Sequence, residues 1–207
     1  MESSSDADRG SGESNSDVRQ HLWVLRAQLG DVGALTNLVG AHQGRVLHYL
    51  ESIVGSRDDA EDALQDIWVT VVRKIAKLED PRAFRAWLYR IARNRALSGL
   101  RRKRREGERL VDEAHGSENT STEADENETW LGELDPEAVH AAIKDLSPAH
   151  REAIVLRYFQ GMGYEGISEI AGCSIGTIRS RIHYGKAELR KLLMHPRSSE
   201  ANPEGHQ

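Results

Sequence analysis

Residues 164–183 decide the fold of the C-terminal part of the chain, and they read Tyr-Glu-Gly-Ile-Ser-Glu-Ile-Ala-Gly-Cys-Ser-Ile-Gly-Thr-Ile-Arg-Ser-Arg-Ile-His. Apolar residues at three- and four-residue spacing predict a short helix over 164–171 and a long helix from Ser174 to about Leu193. Gly172-Cys173-Ser174 forms a tight turn between them, and Ser174 is a good N-cap for the second helix. This pattern is typical of a helix-turn-helix motif.

The second of these helices has polar side chains that suit nucleic acid. In this motif the N-terminal half of the second helix enters the major groove, where arginine reads guanine and hydroxyl groups contact phosphates or base edges. An apolar stripe at positions 175, 178, 182 and 189 is expected to face the core. The candidate DNA-contacting residues are Ser174, Thr177, Arg179, Ser180, Arg181, His183, Tyr184 and Lys186. A protein-binding or purely structural helix pair is the alternative that the pattern leaves open.

Two further helices are predicted before the motif. One covers 137–144, and the next starts at Ser147-Pro148 and stops at Gly161, because serine caps helices and proline fits their first turn. Gly166 and Gly185 fall inside helices, where each costs about 1 kcal/mol relative to alanine. We therefore expect a C-terminal domain of reduced stability.

The N-terminal half of the chain shows the same helical periodicity. Four helices are predicted, over 18–29, 32 to about 54, 58 or 59 to about 76, and 82 to about 102. Asp58 or Asp59 is the expected N-cap of the third helix. No alternating strand pattern persists anywhere. The fold class is therefore all-α, with two small helical domains joined by an acidic, flexible linker.

Charge is strongly segregated along the chain although the net charge is only −5. Residues 81–105 contain ten basic residues and no acid, whereas residues 108–137 contain eleven acids and a single arginine. A solvated surface would mix the two signs, so the basic block predicts a polyanion partner. The acidic segment is poor in large apolar groups and predicts a linker.

The helix within the basic block combines arginines with aromatic residues. Arg85, Tyr89 and Arg93 recur at a spacing of four on one face, and Asn94 follows them. Cations beside aromatic rings suit separated bases, which stack on the rings. Trp87 falls near the apolar stripe, so a core position is the favoured interpretation of that residue.

Acidic residues cluster on the third helix. Asp62, Gln65 and Asp66 share one face opposite its apolar stripe, and Asp59 lies one turn earlier. A basic protein partner fits such a face. Periodicity alone favours an ordinary solvated surface.

Composition excludes several classes of protein. The single cysteine, Cys173, excludes an internal disulfide and a cysteine zinc cage, and the histidines lack partners at ligand spacing. No apolar run reaches the roughly 20 residues of a membrane span, and the N-terminus lacks the apolar core of a signal peptide. We expect a cytoplasmic protein with no catalytic residues, no metal or cofactor, no membrane association and no small-molecule substrate.

Two long motifs resemble the extracytoplasmic-function (ECF) group of the sigma-70 family. Asp58-Asp-Ala-Glu-Asp-Ala-Leu-Gln-Asp-Ile-Trp and Ala83-Phe-Arg-Ala-Trp-Leu-Tyr-Arg-Ile-Ala-Arg-Asn resemble its second region. Leu146-Ser-Pro-Ala-His-Arg-Glu-Ala-Ile-Val-Leu-Arg-Tyr, with the motif at 164–183, resembles its fourth region. The resemblance covers roughly residues 33–105 and 138–193. Together with composition it predicts a disordered tail over 1–17, region 2 over 18–106, an acidic linker over 107–136, region 4 over 137–194 and a second tail over 195–207.

The resemblance also implies partners for each surface. Asp59, Asp62, Gln65 and Asp66 would dock on the largest subunit of core RNA polymerase, in place of the solvated face that periodicity favours. The helix beginning at Ser174 would read the minus-thirty-five element as duplex. An anti-sigma factor is a further partner that such a protein can have. The residues that would capture the unwound minus-ten element are Arg82, Arg85, Trp87, Tyr89, Arg90, Arg93 and Asn94.

One stretch departs from the family pattern, and two rival functions remain. Residues 78–81 read Leu-Glu-Asp-Pro where many relatives carry a Phe-Arg-Gly type of sequence, which leaves the base preference of the loop 77–82 open. A stand-alone helix-turn-helix regulator should bind duplex operator DNA tightly without polymerase. An enzyme acting on nucleic acid would need carboxylate metal ligands near the basic helix, and residues 81–105 contain none.

Overall fold

The computed structural model describes residues 7–107 and 135–194, and within these ranges every regular element is helical. The chain divides into two compact units, which confirms the predicted all-α class with two helical domains. Among the described helices, none has the length and apolarity that crossing a membrane requires. Residues 108–134 of the predicted linker and the C-terminal tail 195–207 lie outside the described residues.

The first unit contains four α-helices and two short 3-10 turns. These are α1 (Ala7–Gln28), α2 (Val32–Val54), α3 (Arg57–Lys74), the turns Ile75–Lys77 and Pro81–Ala83, and α4 (Phe84–Gly107). Helix α2 packs against α1, α3 and α4, and α3 also packs against α4. The core between them is aromatic and aliphatic, because Tyr49, Tyr89, Phe84, Leu38 and Ile67 are all almost fully buried.

Polar caps explain where two of these helices begin. Asp31 accepts a hydrogen bond from the backbone amide of Ala34 at 3.0 Å and starts α2. Ser56, rather than Asp58 or Asp59, caps α3 by accepting from the amide of Asp59. The predicted cap was wrong because Gly55, with φ of 74°, ends α2 immediately before Ser56 and leaves Ser56 in the extended conformation of a cap.

Helix α1 departs most from the sequence prediction. It begins at Ala7 rather than at Val18, so residues 7–17, expected to belong to a disordered tail, are helical. From residue 15 onward, where its side chains are described, the buried ones are Val24 and Ala27. The leucines spaced three and four residues apart over 22–29 are exposed instead: Leu22 by 54%, Leu25 by 40% and Leu29, just beyond the helix, by 90%.

The C-terminal part of the chain contains α5 (Pro136–Asp145), α6 (Pro148–Ile154), a π-helical turn (Val155–Phe159), α7 (Tyr164–Ala171) and α8 (Ile175–Met194). Ser147 caps α6 as predicted, because its hydroxyl accepts from the amide of His150. Helix α8 packs against both α5 and α6. A Cβ added at Gly185 would lie 2.9 Å from Ile154 Cγ1, so this glycine lets α8 approach α6 closely.

Candidate nucleic-acid interfaces

Helix α8 starts at the turn predicted for the helix-turn-helix motif. Gly172 has φ of 67°, which glycine adopts without strain, and it ends α7. The hydroxyl of Ser174 then accepts from the amide of Thr177 at 3.1 Å and lies 2.9 Å from that residue's hydroxyl. The first turn of α8 is therefore capped, and Ser174 and Thr177 lie together at its N-terminal end.

Six of the eight residues proposed on α8 have accessible side chains. Ser174 and Arg179 are exposed, and Thr177, Arg181, His183 and Tyr184 are half-buried. The rings of His183 and Tyr184 meet edge to face with centroids 5.3 Å apart. Ile175, which was expected in the core stripe, is 36% exposed, whereas Ile178, Ile182 and Leu189 are buried.

The assignments of Ser180 and Lys186 to DNA contact were wrong. Ser180 is 5% exposed, and its hydroxyl donates to the carbonyl of Gly176 at 2.8 Å. Lys186 is 4% exposed. Both side chains lie on the inner side of α8. The three- and four-residue spacing of the polar residues did not reveal this.

An arginine–tyrosine cluster lies beside the N-terminal half of α8. The Cζ atoms of Arg157 and Arg179 lie 5.0 Å and 5.7 Å from the ring centroid of Tyr164. Arg157 also donates to the carbonyl of Met162 at 3.2 Å. Arg157 and Tyr164 had no role predicted from the sequence, because they stand 22 and 15 residues before Arg179 and no helical spacing links them.

Helix α4 presents a cationic surface on the first unit. Arg82, Arg90 and Asn94 are exposed, and Arg85 and Arg93 are half-buried. Trp87 is half-buried, and its ring lies 6.0 Å from that of Phe84. It therefore packs on the core while keeping part of its surface accessible, an arrangement between the two interpretations that the sequence allowed.

Tyr89 is a core residue, and its assignment to the DNA-contacting set was wrong. Its side chain is 1% exposed and meets Tyr49 edge to face at 5.2 Å. Burial raises the pKa of its hydroxyl. The spacing of four from Arg85 placed it on the polar face, but the core of this unit extends around α4 far enough to include it.

His42 of α2 is also buried in the first unit, beside Phe84. It is 5% exposed, and its ring lies 5.5 Å from that of Phe84. Burial, reinforced by the charges of Arg85 and Arg45, lowers its pKa from 6.5 to about 4. The imidazole is therefore neutral near pH 7 and acts as a packing group, while the two arginines lie close enough to add to the positive potential of this surface.

The loop between α3 and α4 is held by a residue that the sequence analysis missed. The side-chain amide of Gln28, at the end of α1, donates to the carbonyls of Ile75 at 3.1 Å and Leu78 at 2.7 Å. Asp80 closes the other end by accepting from the amide of Arg82 at 2.9 Å. Glutamine at a helix end has no pattern that identifies it as a loop anchor, so only the fold reveals this role.

The acidic face of α3 is partly paired with α4. Asp66 binds Arg95, and Asp59 binds Lys103, whose hydrogen bond lowers the pKa of the Asp59 carboxyl. Asp62 and Gln65 are exposed between these pairs. Asp62, Gln65 and Asp66 thus share one face as predicted, but Asp66 and Asp59 also join α3 to α4. Within the described parts of the chain, histidine, cysteine and carboxylate side chains form no cluster of three that could hold a metal ion.

Comparison with known proteins identifies relatives of both units. The family model "Sigma-70 region 2" matches residues 38–106, and "Sigma-70, region 4" matches residues 137–189. The ECF RNA polymerase sigma-E factor of Haemophilus influenzae is 36% identical over 82% of this chain and 93% of its own length. The ECF RNA polymerase sigma factor SigE of Mycolicibacterium smegmatis is 33% identical over 79% of this chain, but the match spans only 64% of that relative.

A solved structure is also similar. It is described as a co-crystal structure of the sigma factor RpoE with the anti-sigma factor NepR from Bartonella quintana. That sigma factor is 29% identical to this chain, with a TM-score of 0.63, and the match covers 80% of this chain and all of the other.

Proposed function

The chain belongs to the sigma-70 family and, within it, to the ECF RNA polymerase sigma factors, and from this we propose that α3 docks on core RNA polymerase while α4 and α8 engage the two promoter elements. The observation that carries the proposal is the order of the matched regions. Region 2 coincides with the cationic surface of α4, and region 4 coincides with the helix-turn-helix that ends in α8. A stand-alone regulator would have no reason to contain both.

We assign polymerase docking to the acidic face of α3, with Asp62 and Gln65 as its accessible centre and Asp59 and Asp66 at its edges. An exposed carboxylate that meets a basic partner contributes to association, and reversing its charge introduces repulsion. Asp62→Lys is expected to weaken binding to core polymerase at least about tenfold. Asp58→Lys is the matched control, because Asp58 is exposed on the same helix outside this set. Equal losses in both variants, measured by co-elution at low salt, would contradict the assignment.

We assign capture of the unwound minus-ten element to Arg82, Arg85, Trp87, Arg90, Arg93 and Asn94. Open-complex formation then uses binding free energy to offset duplex opening, which requires about 1.4 kcal/mol per base-pair step. Changing Arg85, Arg93 and Asn94 together to alanine is expected to abolish open complexes, read as permanganate-reactive thymines, while polymerase binding is retained. Loss of polymerase binding instead would mean that the two surfaces of this unit are misassigned.

The loop from Leu78 to Arg82 belongs to this surface, and Gln28 would keep its shape. Gln28→Ala removes two hydrogen bonds to the loop backbone, each with a net contribution of about 0.5–1.5 kcal/mol. We expect weaker open complexes with normal polymerase binding, and a loss of stability of no more than about 1–3 kcal/mol. Normal open complexes in this variant would show that the loop holds its conformation without α1.

We assign recognition of the minus-thirty-five element to Ser174, Thr177, Arg179, Arg181, His183 and Tyr184 at the accessible side of α8. In-vitro transcription from a promoter library randomised at both elements is the direct test. Enrichment of two separated motifs supports the proposal. Enrichment of a single duplex motif that the chain also binds without polymerase would instead favour a stand-alone regulator.

The remaining assignments concern partners and location. We propose that the chain acts in the cytoplasm, where promoters are, and has no catalytic activity of its own, since its relatives are sigma factors. An anti-sigma factor is a reasonable further partner, because the similar RpoE structure contains one. Co-expression with a candidate inhibitor should then block co-elution with polymerase.

A further inference from the structure

Tyr164 lies in the helix-turn-helix, and the proposed recognition of promoter DNA gives its contacts no role. It is the first residue of α7, and it is half-buried rather than part of the core. Two guanidinium groups lie within about 6 Å of its ring, the range in which a cation is attracted to the face of an aromatic ring. One group belongs to Arg157, from the π-helical turn, and the other to Arg179, from α8.

We propose that Tyr164 is a positioning residue that holds Arg179 in the orientation in which α8 meets DNA, with Arg157 fixing the ring from the preceding segment. This inference rests on the proposed function of α8. Arg157 is itself anchored, because it donates to the carbonyl of Met162 at 3.2 Å. The ring therefore joins a fixed cation to an exposed one.

The exposed arginine gains most from this arrangement. A solvent-exposed arginine samples many rotamers, and immobilising such a side chain on binding has an entropic cost. The contact with the ring restricts Arg179 before DNA arrives, so less of that cost falls on the binding step. It also keeps two positive groups beside one ring, where they would attract a phosphate or a guanine edge.

Holoenzyme reconstituted from core polymerase and the full chain, bound to promoter DNA, provides the test. Tyr164→Leu keeps the apolar bulk but removes the ring, and we expect promoter affinity to fall about three- to tenfold. Tyr164→Phe keeps the ring face and is expected to stay within about twofold of the parent. Equal losses in the two variants would assign the effect to the hydroxyl and overturn the proposal.

A double-mutant cycle separates positioning from general weakening. If the ring acts through Arg179, adding Tyr164→Leu to Arg179→Ala should cause no further loss of affinity. Arg190→Ala is the matched control, since it removes the same charge from the distal half of α8, and its effect should multiply with that of Tyr164→Leu. Multiplication of the effects in both cycles would overturn the proposal.

The single variant Arg179→Ala distinguishes failure of the proposed promoter contact from failure of the positioning role. Unchanged promoter affinity in this single variant would remove Arg179 from the DNA-reading set, and the positioning role would fall with it. A clear loss that multiplies with Tyr164→Leu would leave the reading assignment intact and refute positioning only. Upfield ring-current shifts of the Arg179 side-chain protons, present in the parent and Tyr164→Phe but absent in Tyr164→Leu, would further support the contact in the free protein.

Discussion

Two glycines inside helices of the second unit should respond to the same substitution with opposite signs. The sequence alone predicts the same effect of alanine at both positions, because alanine is about 1 kcal/mol more favourable than glycine inside a helix. A Cβ at Gly166 would meet no atom within 4 Å, so Gly166→Ala is expected to stabilise this unit by up to about 1 kcal/mol. A Cβ at Gly185 would lie 2.9 Å from Ile154 Cγ1 and 3.3 Å from His150 Cβ.

The clash at Gly185 sets the size of its effect. Ile154 Cγ1 and His150 Cβ sit close to the backbone of α6 and cannot swing aside as the end of a long side chain could. Overpacking of this kind costs about 1–3 kcal/mol. Subtracting the gain of about 1 kcal/mol in helix propensity leaves Gly185→Ala destabilising by up to about 2 kcal/mol.

Hydrogen exchange of the amides in α6 and α8 of the intact chain measures both effects locally. Exchange should slow by about fivefold in Gly166→Ala and accelerate in Gly185→Ala, by up to about thirtyfold. The double variant Gly185→Ala with Ile154→Ala should be more stable than the sum of its single changes, because the second change removes the clashing atoms. Equal protection of both glycine variants would refute the close packing of α6 on α8.

Three further predictions test the packing. The stability of the first unit, measured by denaturant unfolding, should fall by up to about 3 kcal/mol as the pH drops from 6.5 towards 4. In this range the unfolded chain protonates His42, whereas the folded chain, in which the pKa of His42 is lowered, does not. His42→Gln should flatten this dependence. Val24→Ala, at a fully buried position, should cost about 1–3 kcal/mol, whereas Leu22→Ala should change stability by less than about 0.5 kcal/mol; the reverse order would mean that α1 buries its leucine face. Gly172→Ala places a Cβ at positive φ and should lower the melting temperature by an amount equivalent to about 1–2 kcal/mol, and an unchanged transition would argue against the left-handed turn.

Much of the candidate site could be read from the chain before its structure. The turn at Gly172, the cap at Ser174 and the clustering of Asp62, Gln65 and Asp66 follow from local rules, and the structure agrees with them. The residues that failed were Tyr89, Ser180 and Lys186. Each was placed outward because it stands among polar neighbours, but each is buried in the folded chain.

Most of the helices, the turns between them and the separation of positive and negative charge follow from the amino-acid order, since these depend on residues within a turn or two of each other. Which face of each helix is buried depends instead on how the helices pack. On α1 the leucine stripe lies outside and Val24 lies inside. The tertiary structure also brought Gln28 to the loop after α3 and Arg157 and Tyr164 to Arg179, because such contacts join residues that helical periodicity cannot relate.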